Sequence, residues 1–109
     1  MDTKSLQKFI QEHDVFQRTI KGFWHYLNTW KAKDQSDFEK CFSGIDFNSL
    51  KVKVKKVSLT INYRYDEPLE YVQSYASVVH NDEEIAVYHF LLTLEGEYDD
   101  DVLSWTVLE

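Results

Sequence analysis

The residues that could do most chemistry are acidic. Asp66, Glu67, Glu70, Glu95, Glu97, Asp99, Asp100 and Asp101 all lie in the C-terminal half, at two places that read as turns between strands. Carboxylates at this density repel one another, so they face water or meet something positive, either a basic protein surface or a divalent cation such as calcium. Their spacing is not that of an EF-hand, so a basic partner is the sharper expectation. The surrounding charge is lopsided. Residues 1–64 hold all 12 Lys and Arg against 7 acids, whereas residues 65–109 hold 12 acids and no Lys or Arg. A net charge of −7 argues against nonspecific nucleic-acid binding. The same polarity also suits self-complementarity between the two halves, or simple solubility.

No catalytic motif rises above background. His13 sits among apolar residues at helical spacing and could serve as a base in a pocket with Phe16, Trp24, Tyr63 and Tyr88, although a lone histidine on an apolar stripe is more often a satisfied core residue. His89 alternates with Ile85, Val87 and Leu91, an apolar set suited to a dimer face. His25 and His80 have no companions, and scattered histidines do not make a zinc site. Cys41 is the single cysteine, which excludes an internal disulfide, and beside Phe38 and Phe42 it reads as a small core residue rather than a nucleophile. Lys51, Lys53, Lys55 and Lys56 line one strand, the usual protection of an exposed edge. No cofactor is implied and no catalytic residue is assigned.

What must position these groups is an amphipathic rod and a sheet. Leu6, Phe9, Ile10, His13, Phe16, Ile20, Phe23, Trp24, Leu27 and Trp30 step by threes and fours, which predicts one helix from Thr3, capped by Asp2 or Thr3, to about Lys33, some 45 Å long. Gly22 marks a bend in it, a close approach of the sheet, or a tolerated glycine. Ser36 and Glu39 form a capping box for a second helix of about two turns, ending at Ser43-Gly44. From Leu50 the period becomes 2. The apolar set moves from even to odd positions across Lys55-Lys56, which requires a β-bulge. Further strands are expected over Leu69–His80, Glu84–Tyr98 and Val102–Leu108, the last with Leu103, Trp105 and Val107 inward. The turns between them fall at Asp66-Glu67-Pro68, Asn81-Asp82-Glu83 and Asp99-Asp100-Asp101. The whole, 1–109, is expected to be one α+β domain, a long helix and a short one packed on a curved four-stranded antiparallel meander. No apolar run is long enough to cross a membrane and no signal-peptide core is seen, so the cytoplasm is the default compartment.

The segment from Phe23 to Asp34, followed by Phe38 and Phe42, resembles the opening of nuclear transport factor 2-like domains. That resemblance implies a long aromatic helix, a break ending in Asp, and a curved sheet coned around the helix. The family includes ketosteroid-isomerase-like enzymes, dehydratases and binding modules without activity. Residues 43–50 leave no room for the hairpin and third helix that usually line its pocket, so the related cystatin-like layout fits equally well. Only Asp34 transfers by position, as support for the helix break. Three uses follow. The first is a non-enzymatic interaction module of inhibitor or immunity type, its acidic sheet end binding a basic or self-related partner. The second is a small-molecule or enzymatic pocket around His13. The third is homodimerisation through the back of the sheet.

Overall fold

The computed structural model describes residues 2–105. The expected inward Val107 and the end of the last strand, Leu108, therefore lie outside the described residues. The order is α1 (Thr3–Glu12), α2 (Val15–Lys33), α3 (Gln35–Cys41), a 3-10 turn (Phe47–Ser49), then β1 (Lys51–Asn62), β2 (Leu69–His80), β3 (Glu83–Leu92) and β4 (Tyr98–Trp105). The four strands form one antiparallel sheet in the order β1-β2-β3-β4, an α+β arrangement. Among the described residues no helix is long and apolar enough to cross a membrane.

The single N-terminal rod is in fact two helices. α1 ends at His13, whose amide bonds the Phe9 carbonyl, and Asp14 follows at φ 51°. Aspartate is one of the few side chains that enters this left-handed region without large cost. Within α2 the buried row is Val15, Thr19, Phe23 and Leu27. A row stepping by four is inclined to the helix axis, so it leaves the expected stripe toward the N-terminal end. Phe16 falls off it and is 50% exposed. The capping box is also replaced: Asp34 caps α3 by accepting from the Asp37 amide at 3.1 Å, and Gln35 pairs with Glu39. Phe38 and Phe42 turn inward, which leaves Cys41, one position off their row, exposed rather than in the core.

Each ladder of the sheet slips once. Val54 pairs with Ala76 and Lys56 with Tyr75, which leaves Lys55 as the extra residue where the alternation changes phase. Ile85 and Asp99 are the corresponding extras in the other two ladders. Such bulges curve a sheet. Its helix-facing side carries Val72, Ser74, Ala76 and Val78 of β2 against Ala86, Tyr88, Phe90 and Leu92 of β3, all buried. The third turn is not at Asp99–Asp101. It is closed earlier by Gly96 at φ 85°, with the Thr93 amide bonded to the Glu97 carbonyl at 2.8 Å, and the acidic triplet runs into β4.

Gly22 proves to be a point of close approach. A Cβ there would lie 2.8 Å from the Tyr88 hydroxyl and 2.9 Å from the Phe90 ring. Alanine would gain about 1 kcal/mol of helix propensity but incur an overpacking cost of about 1–3 kcal/mol. Gly22→Ala should therefore lower the urea midpoint, and a raised midpoint would show that α2 can lift freely from the sheet.

Candidate functional site

Two surfaces have enough character to work with. The first is the sheet end where the β1–β2 and β3–β4 turns meet. A meander places these turns on the same side, about 10 Å apart at two strand spacings. Asp66, Glu67, Glu70, Glu95, Glu97, Asp99 and Asp100 are exposed there. Among the described residues the one ion pair is Lys8–Glu12 on α1, so none of these seven has a Lys or Arg partner. Arg18 does reach the third turn, but it donates to carbonyls, at 2.8 Å to Gly96 and 3.3 Å to His13. This end is also greasy, which acidity alone would not suggest. Of the ten exposed large hydrophobic side chains among the described residues, seven lie here: Leu59, Ile61, Tyr63, Tyr65, Leu69, Leu94 and Tyr98.

The eighth expected carboxylate, Asp101, leaves this group. It lies on the helix-facing side of β4, opposite Phe90, and is partly buried. Its two oxygens accept from the Tyr88 hydroxyl at 2.6 Å and the Tyr98 hydroxyl at 2.7 Å. Asp101 forms part of an open groove of about 760 Å³ along α2. The helix contributes Arg18, Lys21, Gly22, His25, Tyr26 and Trp30, and the sheet contributes Phe90, Tyr98 and Asp101. No periodicity announced this groove, because an acid within an Asp run reads as solvated. Only Tyr88 at an inward position hinted that something must accept its proton.

The other expected sites fare less well. His13, Phe16, Trp24, Tyr63 and Tyr88 do not form one pocket. His13 lies against Phe9 with ring centroids 4.4 Å apart, directly under Gly96. Tyr63 is 74% exposed beyond the end of β1, whereas Tyr88 is fully buried between Phe23 and Tyr26. Trp24 packs edge-on to Phe23, and with Phe16 exposed no enclosed cone forms around His13. On the back of the sheet Val87, His89 and Leu91 are half-buried, while Ile85, the bulge residue, packs against the core. That face is more polar than its alternation suggested. His89 Nδ1 is 3.0 Å from the Gln73 amide nitrogen, and Lys56 stands 4.2 Å over the Tyr75 ring. Burial first, and the Lys56 charge second, hold the His89 imidazole below its ordinary range. Among the described residues no three His, Cys, Asp or Glu side chains converge closely enough to hold a metal ion.

No protein-family model, no curated protein and no solved structure matches the chain. The chemistry of the two surfaces therefore has to carry the functional reading.

The Tyr88–Asp101–Tyr98 group makes a prediction of its own. The hydrogen bond to Asp101, then burial and the charges of Asp101, Asp100 and Asp99, push Tyr98 up to about 12. Burial first, and the bond to Asp101 second, raise Tyr88 well above the phenol range. Unfolded tyrosines ionise near pH 10, so these shifts stabilise the fold fully below about pH 10. That contribution is lost as pH rises through the folded values. Tyrosinate absorbance should show Tyr88 and Tyr98 still protonated at about pH 11, and Asp101→Asn should lower the pH at which Tyr98 ionises. Ionisation of Tyr88 and Tyr98 near pH 10 in the folded wild type would contradict the arrangement.

Proposed function

We propose that this domain is a protein-interaction module that works through the acidic, apolar end of its sheet and takes a basic partner, in the manner of an inhibitor or immunity protein. The observation that carries the reading is a coincidence of two patterns. Among the described residues, seven carboxylates without a Lys or Arg partner and seven of the ten exposed large hydrophobics occupy the same pole. Protein interfaces are built in this way, with an apolar and aromatic centre that supplies affinity and charges around it that supply approach rate and selectivity. A merely solubilising turn end has no use for Ile61 at 46% exposure or Tyr65 at 57%. The basic half of the chain also makes a second copy an eligible partner, so self-association belongs to the same proposal. The element order of one bent helix and a short one on a four-stranded meander is compatible with the nuclear transport factor 2-like and cystatin-like resemblance, within which binding modules without activity occur.

Affinity capture with the wild type from a lysate of the source cells, paired with sedimentation of the pure protein, tests this. A partner, or the dimer, should be held at about 50 mM salt and shed steeply by about 500 mM. The double variant Glu67→Lys/Glu97→Lys and the single variant Ile61→Ser should each weaken capture about tenfold, the equivalent of about 1.4 kcal/mol. A wild type that captures nothing and stays monomeric at low salt, or variants that retain the same partner undiminished, would end the proposal.

A further inference from the structure

We propose that the groove between α2 and the β3–β4 edge is a second, separate binding site, and that it takes a small planar aromatic acid, its anionic group at Arg18 and Lys21 and its ring on Tyr26 and Trp30.

The groove is polar at one end and aromatic at the other. Arg18, Lys21, Gly22, Tyr26 and Trp30 follow one another along α2 at steps of one to four residues, and the twelve steps from Arg18 to Trp30 span about 18 Å. Its volume of about 760 Å³ is within the range of small-molecule sites, about 300–1,000 Å³. At Gly22 the helix wall comes down against Tyr88 and Phe90, and the Phe90 ring gives the groove an apolar floor. Tyr98 closes the sheet side, its ring 5.7 Å from that of Phe90.

Charge selects the ligand. The one carboxylate in the groove is already committed, since both oxygens of Asp101 accept tyrosine protons. Its charge remains, but the two cations of the helix wall outnumber it. The cations on the opposite wall remain available. Lys21 is exposed and, among the described residues, has no ion pair. The Arg18 guanidinium is held in place through one terminal nitrogen by the Gly96 and His13 carbonyls, and a guanidinium carries five donors in all. A ligand cation would be repelled by both residues, and a neutral aromatic would leave both unanswered. An aromatic carboxylate satisfies the cations with charge-assisted bonds and stacks its ring on the aromatic end.

Isothermal titration with three probes of one shape separates the possibilities: naphthoate, naphthamide and naphthylmethylammonium. Naphthoate should bind saturably at one site, and the other two about tenfold more weakly or not at all, as expected for the loss of charge-assisted bonds worth about 1.5–3 kcal/mol. Lys21→Glu, at an exposed position and so without cost to the fold, should weaken naphthoate about tenfold while leaving naphthamide unchanged. Lys21→Gln should fall in between. Absence of saturable naphthoate binding would overturn the proposal, as would ammonium binding as tight as naphthoate or an affinity for naphthoate indifferent to Lys21→Glu.

Discussion

The structure depends on how closely α2 sits on β3. At Gly22 the helix backbone comes so near the sheet that a single methyl group would strike the Tyr88 hydroxyl and the Phe90 ring. That seat places Phe23 and Tyr26 edge-on to Tyr88, with centroids 5.6 and 5.9 Å away. Tyr88 is sealed from water as a result, and a buried hydroxyl requires an acceptor. The helix offers none at that position. Asp101 comes from the neighbouring strand instead, and its second oxygen takes the Tyr98 proton. A glycine on a helix, a phenol on a central strand and an acid on an edge strand thus form one chain of necessity. β4 has few apolar anchors, since only Leu103 and Trp105 join Tyr98 on its inner side, so this polar bond does much to fix its register.

The other end of the helix is held by different means. Trp30, Phe38, Phe42 and Phe47 interlock with centroids 4.9 to 5.6 Å apart, and Trp105 adds its ring to Phe42 at 5.1 Å. Trp30 also donates its indole proton to Asp37 at 3.1 Å, which ties α3 to α2 across the Asp34 break. Edge-on aromatic pairs contribute about 0.5–1.5 kcal/mol each beyond the area they bury. The cluster thereby compensates for the shortness of α3, only seven residues, too few to persist alone.

Much of this was written in local patterns. The change of phase at Lys55-Lys56 could mean only an extra residue, because in a strand each position alternates between two faces, and β2 was bounded by Pro68 and Asn81 for equally local reasons. What escaped was whatever depended on one residue accepting an uncommon role. Asp14 breaks the rod by entering a conformation that aspartate tolerates but does not advertise, so periodicity ran straight through it. Asp99–Asp101 looked like a turn because acids disfavour strands, whereas Gly96 closed the chain five residues before Asp101 and left that acid free to point inward. The groove went unseen because it is made by Gly22, Asp101 and their neighbours in three dimensions, not by any run. Leu59 and Ile61 failed in the opposite sense. Their alternation is that of a covered face, yet they are 38% and 46% exposed.

That last discrepancy follows from the helix break. An uninterrupted rod of about 30 residues would have matched a long strand and could have shielded its far end. Instead the chain turns at His13–Asp14, beneath the β3–β4 turn, and α1 goes aside to border a cleft with Val54–Val57. α2, at 19 residues, covers about 28 Å, while the 12 residues of β1 extend about 40 Å. α2 is therefore shorter than β1, and Leu59 and Ile61 near the end of β1 are left exposed. Covering the rest of Leu59 and Ile61, 38% and 46% exposed, would have been worth about 1 kcal/mol for each side chain, under half of what full burial contributes. With the break, Leu59 and Ile61 stay exposed beside carboxylates that, among the described residues, have no Lys or Arg partner.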